Sequence, residues 1–349
     1  MSDYSRNLMP FLADIEPDEA GPNPVEVSRR YGVALQDILI LSRNENPYGP
    51  SPRVREALSE ASLHRYPDPQ PFVSAVANYV GFPEENIVAG AGMDEIIMNI
   101  ARLFLGRGDK ALIPIPTYNL YALAARLCQA QVVRQPMLSG FELNPHIPDG
   151  MKMVFICAPN NPTGSIISEE TARAILEGTE GIVFLDEAYA EFAEKSLISL
   201  VREYDNLVVG RTLSKAFGLA GLRLGYAVAP QWLAAQYRRV APLFSMSSAS
   251  LAAGVVALKD LDYMKKTTAK IIAERERLLM QLDGAYPSQG NFICIFTEER
   301  SSHVAERLLR KGVVVRDCSS YPGAGMHCLR VSIGTPEQND RFLEAFAKA

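Results

Sequence analysis

The sequence predicts an α/β fold, with a large domain built on a mostly parallel central sheet flanked by helices and a smaller α+β domain after it. Strand-like apolar runs alternate with helix-like segments from residue 71 onward, a pattern typical of parallel strands joined by crossover helices. Polar residues directly follow several of these runs, where α/β proteins bind their ligands. The length of 349 residues also favours two domains.

Composition narrows the class of protein. Hydrophobic residues make up 48% and charged residues 21%, which is typical of a soluble globular protein. The net charge of −5 gives no general attraction to nucleic acid or anionic membranes. The five cysteines are scattered without Cys-x-x-Cys spacing, which favours reduced thiols over disulfides or zinc. With no apolar run long enough for a signal or a membrane span, we expect a cytoplasmic protein without metal, nucleic-acid or membrane partners.

Three segments are predicted from composition and periodicity. Residues 1–40 are rich in proline and acidic residues, with one short helix at 24–31, and predict an arm that packs on the small domain or a partner subunit. A disordered leader is the alternative. Residues 41–245 form the predicted large domain, and the small polar residues near 241–250 mark the junction with the small domain at 246–349.

The elements of the two domains follow from hydrophobic periodicity and turn signals. In the large domain the predicted strands are 86–89, 110–114, 131–135, 153–158, 181–186, 206–209 and 226–229. The helices between them are 52–62, 72–79, 94–105, a segment ending near 127, one capped by Ser168, and one starting at Pro230. The small domain is predicted to contain a long helix to residue 282, strands 291–296, 313–316 and 327–333, and helices 302–311 and 337–348.

One lysine lies in an unusual setting. Lys215 is surrounded by small residues, with Arg211 and Arg223 on either side. Burial and nearby cations lower the pKa of a lysine enough for nucleophilic chemistry, and guanidinium groups bind phosphate. A reactive amine beside a phosphate site is what pyridoxal phosphate (PLP) requires. Asn161 and Asp186 also follow predicted strands, so the parallel sheet would bring them to the same edge as Lys215.

Two other interpretations of the lysine motif were weighed. Most lysines are solvated surface groups, and an isolated Lys-Ala-Phe-Gly has no special meaning. Serine–lysine hydrolases carry a serine three residues before the lysine, but that position is Thr212 here. The other motifs of the chain therefore decide between the interpretations.

Taken together, these motifs resemble those of the fold-type I PLP-dependent aminotransferases over nearly the whole chain. They occur in order and at compatible spacing, which makes the set specific for this family. The motifs are Asn44-Glu-Asn-Pro-Tyr-Gly-Pro, Arg65-Tyr-Pro-Asp-Pro, Pro116-Thr-Tyr, Asn161-Pro-Thr-Gly, Asp186-Glu-Ala-Tyr, Thr212-Leu-Ser-Lys through Arg223, and Leu329-Arg-Val-Ser-Ile-Gly. Within the family, the chain is most similar to the histidinol-phosphate aminotransferases.

The resemblance implies a cofactor role for each matching residue. Lys215 would bind PLP covalently and carry the proton in catalysis, while Asp186 would pair with the ring nitrogen. Asn161 and Tyr189 would hydrogen-bond the phenolic oxygen, and Tyr118 would stack on the ring.

The same resemblance assigns the cofactor phosphate and the oligomeric state. Ser214, Arg223 and the backbone amides of Met93 and Asp94 would hold the phosphate. The glycine turn at residues 90–92 precedes a predicted helix, where backbone amides bind anions. Tyr66 would reach the phosphate in the neighbouring subunit, which implies a homodimer with shared active sites.

The substrate residues are also implied by the resemblance. Arg330 would bind the carboxylate of amino-acid substrates, or a phosphate, through its two-pronged guanidinium group. Arg316 and Asn46 are assigned as further substrate contacts. The implied substrates are histidinol phosphate, glutamate and 2-oxoglutarate, in histidine biosynthesis.

Two departures from the family pattern bear on the substrate. The arm carries Pro17-Asp18 where many members have Pro-Tyr, and the usual Gly-Ala-Asp-Glu turn is Gly92-Met-Asp-Glu. An aminotransferase for aromatic or other amino acids therefore remains an alternative. A threonine-phosphate decarboxylase is disfavoured because no N-terminal His-Gly-Gly is found. A PLP-fold regulator without turnover would need a DNA-binding domain or a lost catalytic residue.

Overall fold

The computed structural model describes residue 4, residues 7–15 and residues 21–348. Its β-strands are β1 (Leu39–Ile40), β2 (Ile87–Gly90), β3 (Lys110–Ile115), β4 (Gln131–Pro136), β5 (Met151–Cys157), β6 (Ile182–Asp186), β7 (Leu207–Thr212), β8 (Gly225–Val228), β9 (Ala285–Tyr286), β10 (Phe292–Phe296), β11 (Val313–Val314), β12 (Arg316–Asp317) and β13 (Cys328–Ser332). Its α-helices are α1 (Pro24–Tyr31), α2 (Arg53–Glu60), α3 (Gln70–Val80), α4 (Met93–Phe104), α5 (Leu120–Leu127), α6 (Glu169–Glu177), α7 (Gln231–Tyr237), α8 (Ser248–Lys259), α9 (Leu261–Gln281), α10 (Ser301–Arg310) and α11 (Pro336–Phe346).

A seven-stranded sheet in the order β2-β8-β7-β6-β5-β3-β4 forms the centre of the large unit. Neighbouring strands are parallel from β7 to β4, and only β8 runs antiparallel to its two neighbours. Every residue of β6 and β7 is buried because helices cover both faces of the sheet. The carboxyl ends of the parallel strands therefore meet at one edge, as the sequence predicted.

A second, antiparallel sheet in the order β12-β13-β10-β9 lies in the C-terminal part of the chain. The segment after the arm pairs with the C-terminal part of the chain. Strand β1 pairs in parallel with β11, and the amide of Ser332 in β13 donates to the carbonyl of Leu41 at 2.8 Å. Helix α8, by contrast, packs against α2 and α3 of the large unit. The predicted boundaries at 41 and 246 thus fall inside continuous packing, and the division into domains stays a prediction.

The helix and strand predictions hold in outline. Two predicted elements are each divided in the structure, and the short strands β1 and β9 were not predicted. The predicted helix before residue 282 is two helices, because Asp260 leaves the helical conformation and its carboxylate accepts a hydrogen bond from Ser51. The predicted strand 313–316 is two short strands, because β11 pairs with β1 whereas β12 pairs with β13. Both interruptions depend on residues distant in sequence.

The arm contributes to the C-terminal unit where it is described. Asn23 caps α1 by accepting from the amide of Glu26 at 2.9 Å. The hydroxyl of Tyr31 donates to Glu306 of α10 at 2.7 Å. Pro17 and Asp18, which replace the family's Pro-Tyr, lie outside the described residues. Among the helices that are described, none has both the length and the apolar character to cross a membrane.

Candidate active site

A pocket of about 390 Å³ opens at the carboxyl ends of β2, β3, β5, β6 and β7. It brings together eleven of the thirteen residues that the sequence assigned to the site. They are Met93, Asp94, Tyr118, Asn161, Asp186, Tyr189, Ser214, Lys215, Arg223, Arg316 and Arg330. A wider cleft of about 1060 Å³ adjoins the pocket and shares Tyr118 and Arg316 with it.

Lys215 follows the carboxyl end of β7 by three residues and lines the pocket. Its Nζ donates to the backbone carbonyl of Arg43 at 3.0 Å and lies 5.8 Å from the ring centre of Tyr189. Burial is the main cause that lowers the pKa of Lys215 to about 8, and the positive charge of Arg330 is the second cause. A substantial fraction of this amine is therefore neutral just above physiological pH, as nucleophilic attack requires.

Asp186 is the last residue of β6 and is buried at the base of the pocket. Its Oδ1 accepts from the amide of Ala188 at 2.9 Å, and its Oδ2 accepts from the hydroxyl of Tyr121 at 2.7 Å. Burial raises the pKa of Asp186 to about 6, although both hydrogen bonds favour the ionised form. A buried carboxylate of this kind pairs well with a protonated ring nitrogen.

An anion cradle forms where β2 turns into α4. Helix α4 begins at Met93. The residue before it, Gly92, has a φ of 84° and a ψ of 172°, and no side chain caps the amino end of the helix. Arg223 approaches closely, since a Cβ on Gly92 would lie 2.8 Å from its Nη2. The guanidinium pairs with the carboxylate of Asp94 at 2.9 Å, and Ser214 also lines the pocket. Uncapped helix amides, an arginine and a hydroxyl form a suitable donor set for a phosphate ester.

Arg330, on β13, is 5% exposed and enters the pocket from the small sheet. Its guanidinium donates to Oδ1 of Asn161 and to the carbonyl of Ser42, while its Nε has no hydrogen-bond partner. In the described part of the chain, no carboxylate forms an ion pair with this group. A buried cation without a counter-ion is expected where an anionic substrate binds.

Tyr118 and Tyr189 line the same pocket as Asp186 and Lys215. Tyr118 packs edge-on against Tyr121 with ring centres 5.7 Å apart, and its hydroxyl donates to Asp94 at 3.3 Å. The hydroxyl of Tyr189 accepts from the side-chain amide of Asn44 at 3.1 Å. Burial raises the pKa of both tyrosines, so both remain neutral.

Two assigned residues lie outside the pocket. Asn46 is buried, and both ends of its side-chain amide are occupied: it donates to the carbonyl of Ala216, next to Lys215, at 2.9 Å and accepts from the amide of Tyr48 at 2.9 Å. Asn46 therefore connects its own loop to the loop that carries Lys215, and its assignment as a substrate contact stays a prediction. Tyr66 is 80% exposed and stacks on Phe244, with ring centres 4.3 Å apart.

The two arginines that flank Lys215 do not act as a pair, contrary to the sequence interpretation. Arg211 lies within β7, where alternation directs it to the opposite face from Thr212, which lines the pocket. Its guanidinium forms a buried ion pair with Glu187 at 2.8 Å and a hydrogen bond to Ser196. Only Arg223 belongs to the anion cradle.

The sequence reading missed two residues that support the site. Asn44 precedes the assigned Asn46 by two positions, and its amide contacts Tyr189 because its φ of 54° turns the chain there. Tyr121 follows Tyr118 by three positions. The turn that leads into α5, in which the amide of Tyr121 donates to the carbonyl of Tyr118 at 3.4 Å, places both on the pocket side. The spacing Tyr-x-x-Tyr was the available signal for Tyr121.

The arrangement of these side chains fits PLP. A lysine amine of lowered pKa, a buried carboxylate opposite it and an anion cradle correspond to the reactive carbon, the ring nitrogen and the phosphate of that cofactor. Gly92 leaves room at the cradle that a side chain would fill.

Comparison with known proteins establishes the family. The profile of the family described as "Aminotransferase class I and II" matches residues 36–346. The chain belongs to the class I and II aminotransferases. Among curated aminotransferases, the histidinol-phosphate aminotransferase of Methanosarcina mazei is 43% identical over 96% of this chain and 94% of its own. That of Methanococcoides burtonii is 40% identical over 92% of this chain and 93% of its own.

Solved aminotransferase structures confirm the predicted fold. The crystal structure of histidinol-phosphate aminotransferase from Sinorhizobium meliloti in complex with pyridoxal-5'-phosphate has a TM-score of 0.87 at 25% identity, covering 99% of this chain and 98% of that one. L-threonine-O-3-phosphate decarboxylase from Porphyromonas gingivalis has a TM-score of 0.80 at 22% identity, covering 89% of this chain and 99% of that one. The second likeness shows the shared fold alone.

Proposed function

We propose that this aminotransferase is a PLP-dependent histidinol-phosphate aminotransferase. It would interconvert histidinol phosphate and 2-oxoglutarate with imidazole acetol phosphate and glutamate, a step of histidine biosynthesis. The observation that carries the proposal is that Lys215, Asp186 and Arg330 line one pocket. Arg330 is buried there and forms no ion pair with a carboxylate of the described residues. Relatives named for this activity match nearly the whole chain at 37–43% identity, which supports the substrate.

The residues of the pocket would divide the work as follows. When bound, PLP supplies an electron sink for the charge left when the α-proton of the substrate is removed. Lys215 would hold the cofactor through Nζ and then carry the proton, a role suited to its lowered pKa. Asp186 would keep the ring nitrogen protonated, while Asn161 and Tyr189 would orient the ring and Tyr118 would cover its face.

Arg330 would bind the two substrates in turn. Glutamate presents an α-carboxylate and histidinol phosphate presents a phosphate, and a guanidinium group accommodates either anion with paired hydrogen bonds. Arg316 lies where the pocket meets the wider cleft, its guanidinium 5.3 Å from the ring centre of Tyr321, and would contact the distal part of the substrate. The cradle of Ser214, Arg223 and the amides of Met93 and Asp94 would remain with the cofactor phosphate.

The decisive assay uses purified protein with PLP and 2-oxoglutarate and follows glutamate formation with a panel of amines. Histidinol phosphate should give the highest kcat/KM. A higher value with phenylalanine would replace the proposal with an aromatic aminotransferase. Carbon dioxide release from threonine phosphate would favour the decarboxylase, and PLP binding without turnover of any amine would favour a binding protein.

We also propose a homodimer with shared active sites, in which Tyr66 reaches the cofactor phosphate of the partner subunit. Leu63, Tyr66 and Leu243 are each at least 80% exposed, and the stack of Tyr66 on Phe244 joins their two loops. Exposed apolar and aromatic groups joined in this way are typical of an interface. The position of Tyr66 outside the pocket of its own chain also supports a role in the partner.

A cytoplasmic location is proposed on the basis of the cysteines. All five are free thiols, and four of them are buried. Reduced, buried thiols are typical of proteins from a reducing compartment.

A further inference from the structure

Tyr121 contacts the carboxylate on which the proposed cofactor chemistry depends. It is the second residue of α5 and is fully buried. Its ring stacks on Phe155 of β5, with ring centres 5.2 Å apart and planes 14° apart. Its hydroxyl donates to Oδ2 of Asp186 at 2.7 Å. The packing of the ring therefore fixes the direction of this hydrogen bond.

The electrostatic surroundings of Asp186 make that hydrogen bond important. Burial opposes ionisation of the carboxyl group, and the negative charges of Asp94 on α4 and of the adjacent Glu187 oppose it further. The groups that favour ionisation are the hydroxyl of Tyr121 and the amide of Ala188, one on each oxygen. Cys157 of β5 and the two tyrosines at 118 and 189 also face this carboxylate, and burial raises the pKa of each, so they remain neutral.

We propose that Tyr121 is a positioning residue that keeps Asp186 ionised and directs its free lone pairs toward the ring nitrogen of the cofactor. The inference rests on the proposed use of PLP and adds a residue whose hydroxyl acts on the cofactor through Asp186. Because Tyr121 and Tyr118 lie in edge-on contact in the turn that leads into α5, this segment would support both the ring face and the ring nitrogen.

The variant Tyr121→Phe tests the proposal with little change in shape, since it keeps the ring and its stack on Phe155 and removes the hydroxyl. Loss of one hydrogen bond to a buried carboxylate should shift the titration of Asp186 upward by about one pH unit. The cofactor would then meet a protonated carboxyl group at pH values where the parent protein presents a carboxylate.

The measurement is the dissociation constant of PLP from cofactor-free protein between pH 5.5 and pH 9, followed by the visible absorbance of the bound cofactor. Titration of free PLP is common to all proteins compared, so the difference between profiles reports on the protein. We expect Tyr121→Phe to bind PLP about fivefold more weakly than the parent near pH 6 and with nearly equal affinity above pH 8.

A matched control is Tyr79→Phe. The hydroxyl of Tyr79 donates to Glu191 at 3.3 Å, and this pair lies outside the residues that line the pocket. The control removes a similar buried tyrosine–carboxylate contact and should leave the PLP profile unchanged.

If Tyr121→Phe folds poorly, a second variant tests the same proposal. Replacement of Tyr121 with 3,5-difluorotyrosine strengthens the donor and should shift the pH profile downward. Superimposed profiles for the parent and the folded Tyr121 variants would overturn the proposal, as would an affinity loss that is equal at every pH. Failure of the parent protein itself to bind PLP would refute the proposed function instead, so the two failures are distinguishable.

Discussion

At the scale of single residues, the site contains a carboxyl group and an amine, and burial brings their pKa values closer together. Burial raises the pKa of Asp186 to about 6 and lowers the pKa of Lys215 to about 8. In both cases burial disfavours the charged form. A bound cofactor that is positive at its ring nitrogen and reactive toward an amine would relieve both penalties.

Replacement of Asp186 by asparagine should expose this penalty in the cofactor-free protein. The folded-state pKa lies above the unfolded value, so stability of the parent falls as pH rises from about 4 to about 6 and stays lower above that range. Asp186→Asn removes this pH-dependent loss, so its stability at pH 8 relative to pH 4 should exceed that of the parent by on the order of 2 kcal/mol. Urea unfolding at pH 4 and pH 8 measures it, with the exposed Asp283→Asn as control. An unchanged stability difference between the two pH values would contradict the expectation.

The dual role of Arg330 is tested by Arg330→Lys, which keeps the positive charge and loses the fork. We expect kcat/KM for glutamate and for histidinol phosphate to fall together by about 100-fold, since paired hydrogen bonds to both anions are lost. Stopped-flow measurement of each half-reaction separates the two substrates. Arg310→Lys on the exposed face of α10 is the matched control. A fall confined to one substrate would show that another residue binds the other anion.

At the scale of elements, the turn between β2 and α4 determines the cradle. Gly92→Ala should weaken PLP binding, because its backbone conformation disfavours any side chain and the new Cβ would lie 2.8 Å from Arg223. Gly108→Ala is the control, with a similar φ of 89° but open space around its Cβ. We expect about tenfold weaker PLP binding for Gly92→Ala alone. Equal PLP affinity of the two variants would mean that Arg223 is not part of the cradle.

The sequence predicted the order of helices and strands well because most buried strands are runs of mainly apolar residues and several helices carry a capping side chain at their start. Ser168, which was expected to begin α6, accepts from the amide of Thr171. The structural features that the sequence did not predict depend on residues that are distant in the chain. The bond from Ser51 to Asp260 divides α8 from α9, and the buried Glu187 draws Arg211 away from the anion cradle.

The sequence predicted which residues of the candidate site lie close together where each of them follows the end of a parallel strand. Lys215, Asp186 and Asn161 follow strand ends, so the parallel sheet brings them together. Asn44, whose contact with Tyr189 was not predicted, shows the limit of this reasoning. The left-handed backbone at Asn44 breaks the alternation of the extended chain, and no sequence pattern marks that conformation.

At the scale of the whole molecule, the proposed dimer makes each active site depend on two chains. A Tyr66→Ala protein and a Lys215→Ala protein should each be impaired. In a mixed dimer, the Lys215 of the first variant would meet the Tyr66 of the second and form one intact site. Mixing and refolding the two variants should therefore restore activity toward half the parent level in each mixed dimer. No recovery, with mixed dimers present by mass spectrometry, would contradict a shared site.

The most direct test of the account is the visible absorbance of the protein after addition of PLP at pH 8.5, compared between the parent and Lys215→Ala. Above the pKa of about 8, Lys215 is largely neutral and should bind the cofactor covalently. The parent should show a visible band that resists dialysis and disappears when histidinol phosphate is added. Lys215→Ala should show neither the covalent band nor glutamate formation. Full transamination by Lys215→Ala would contradict the account.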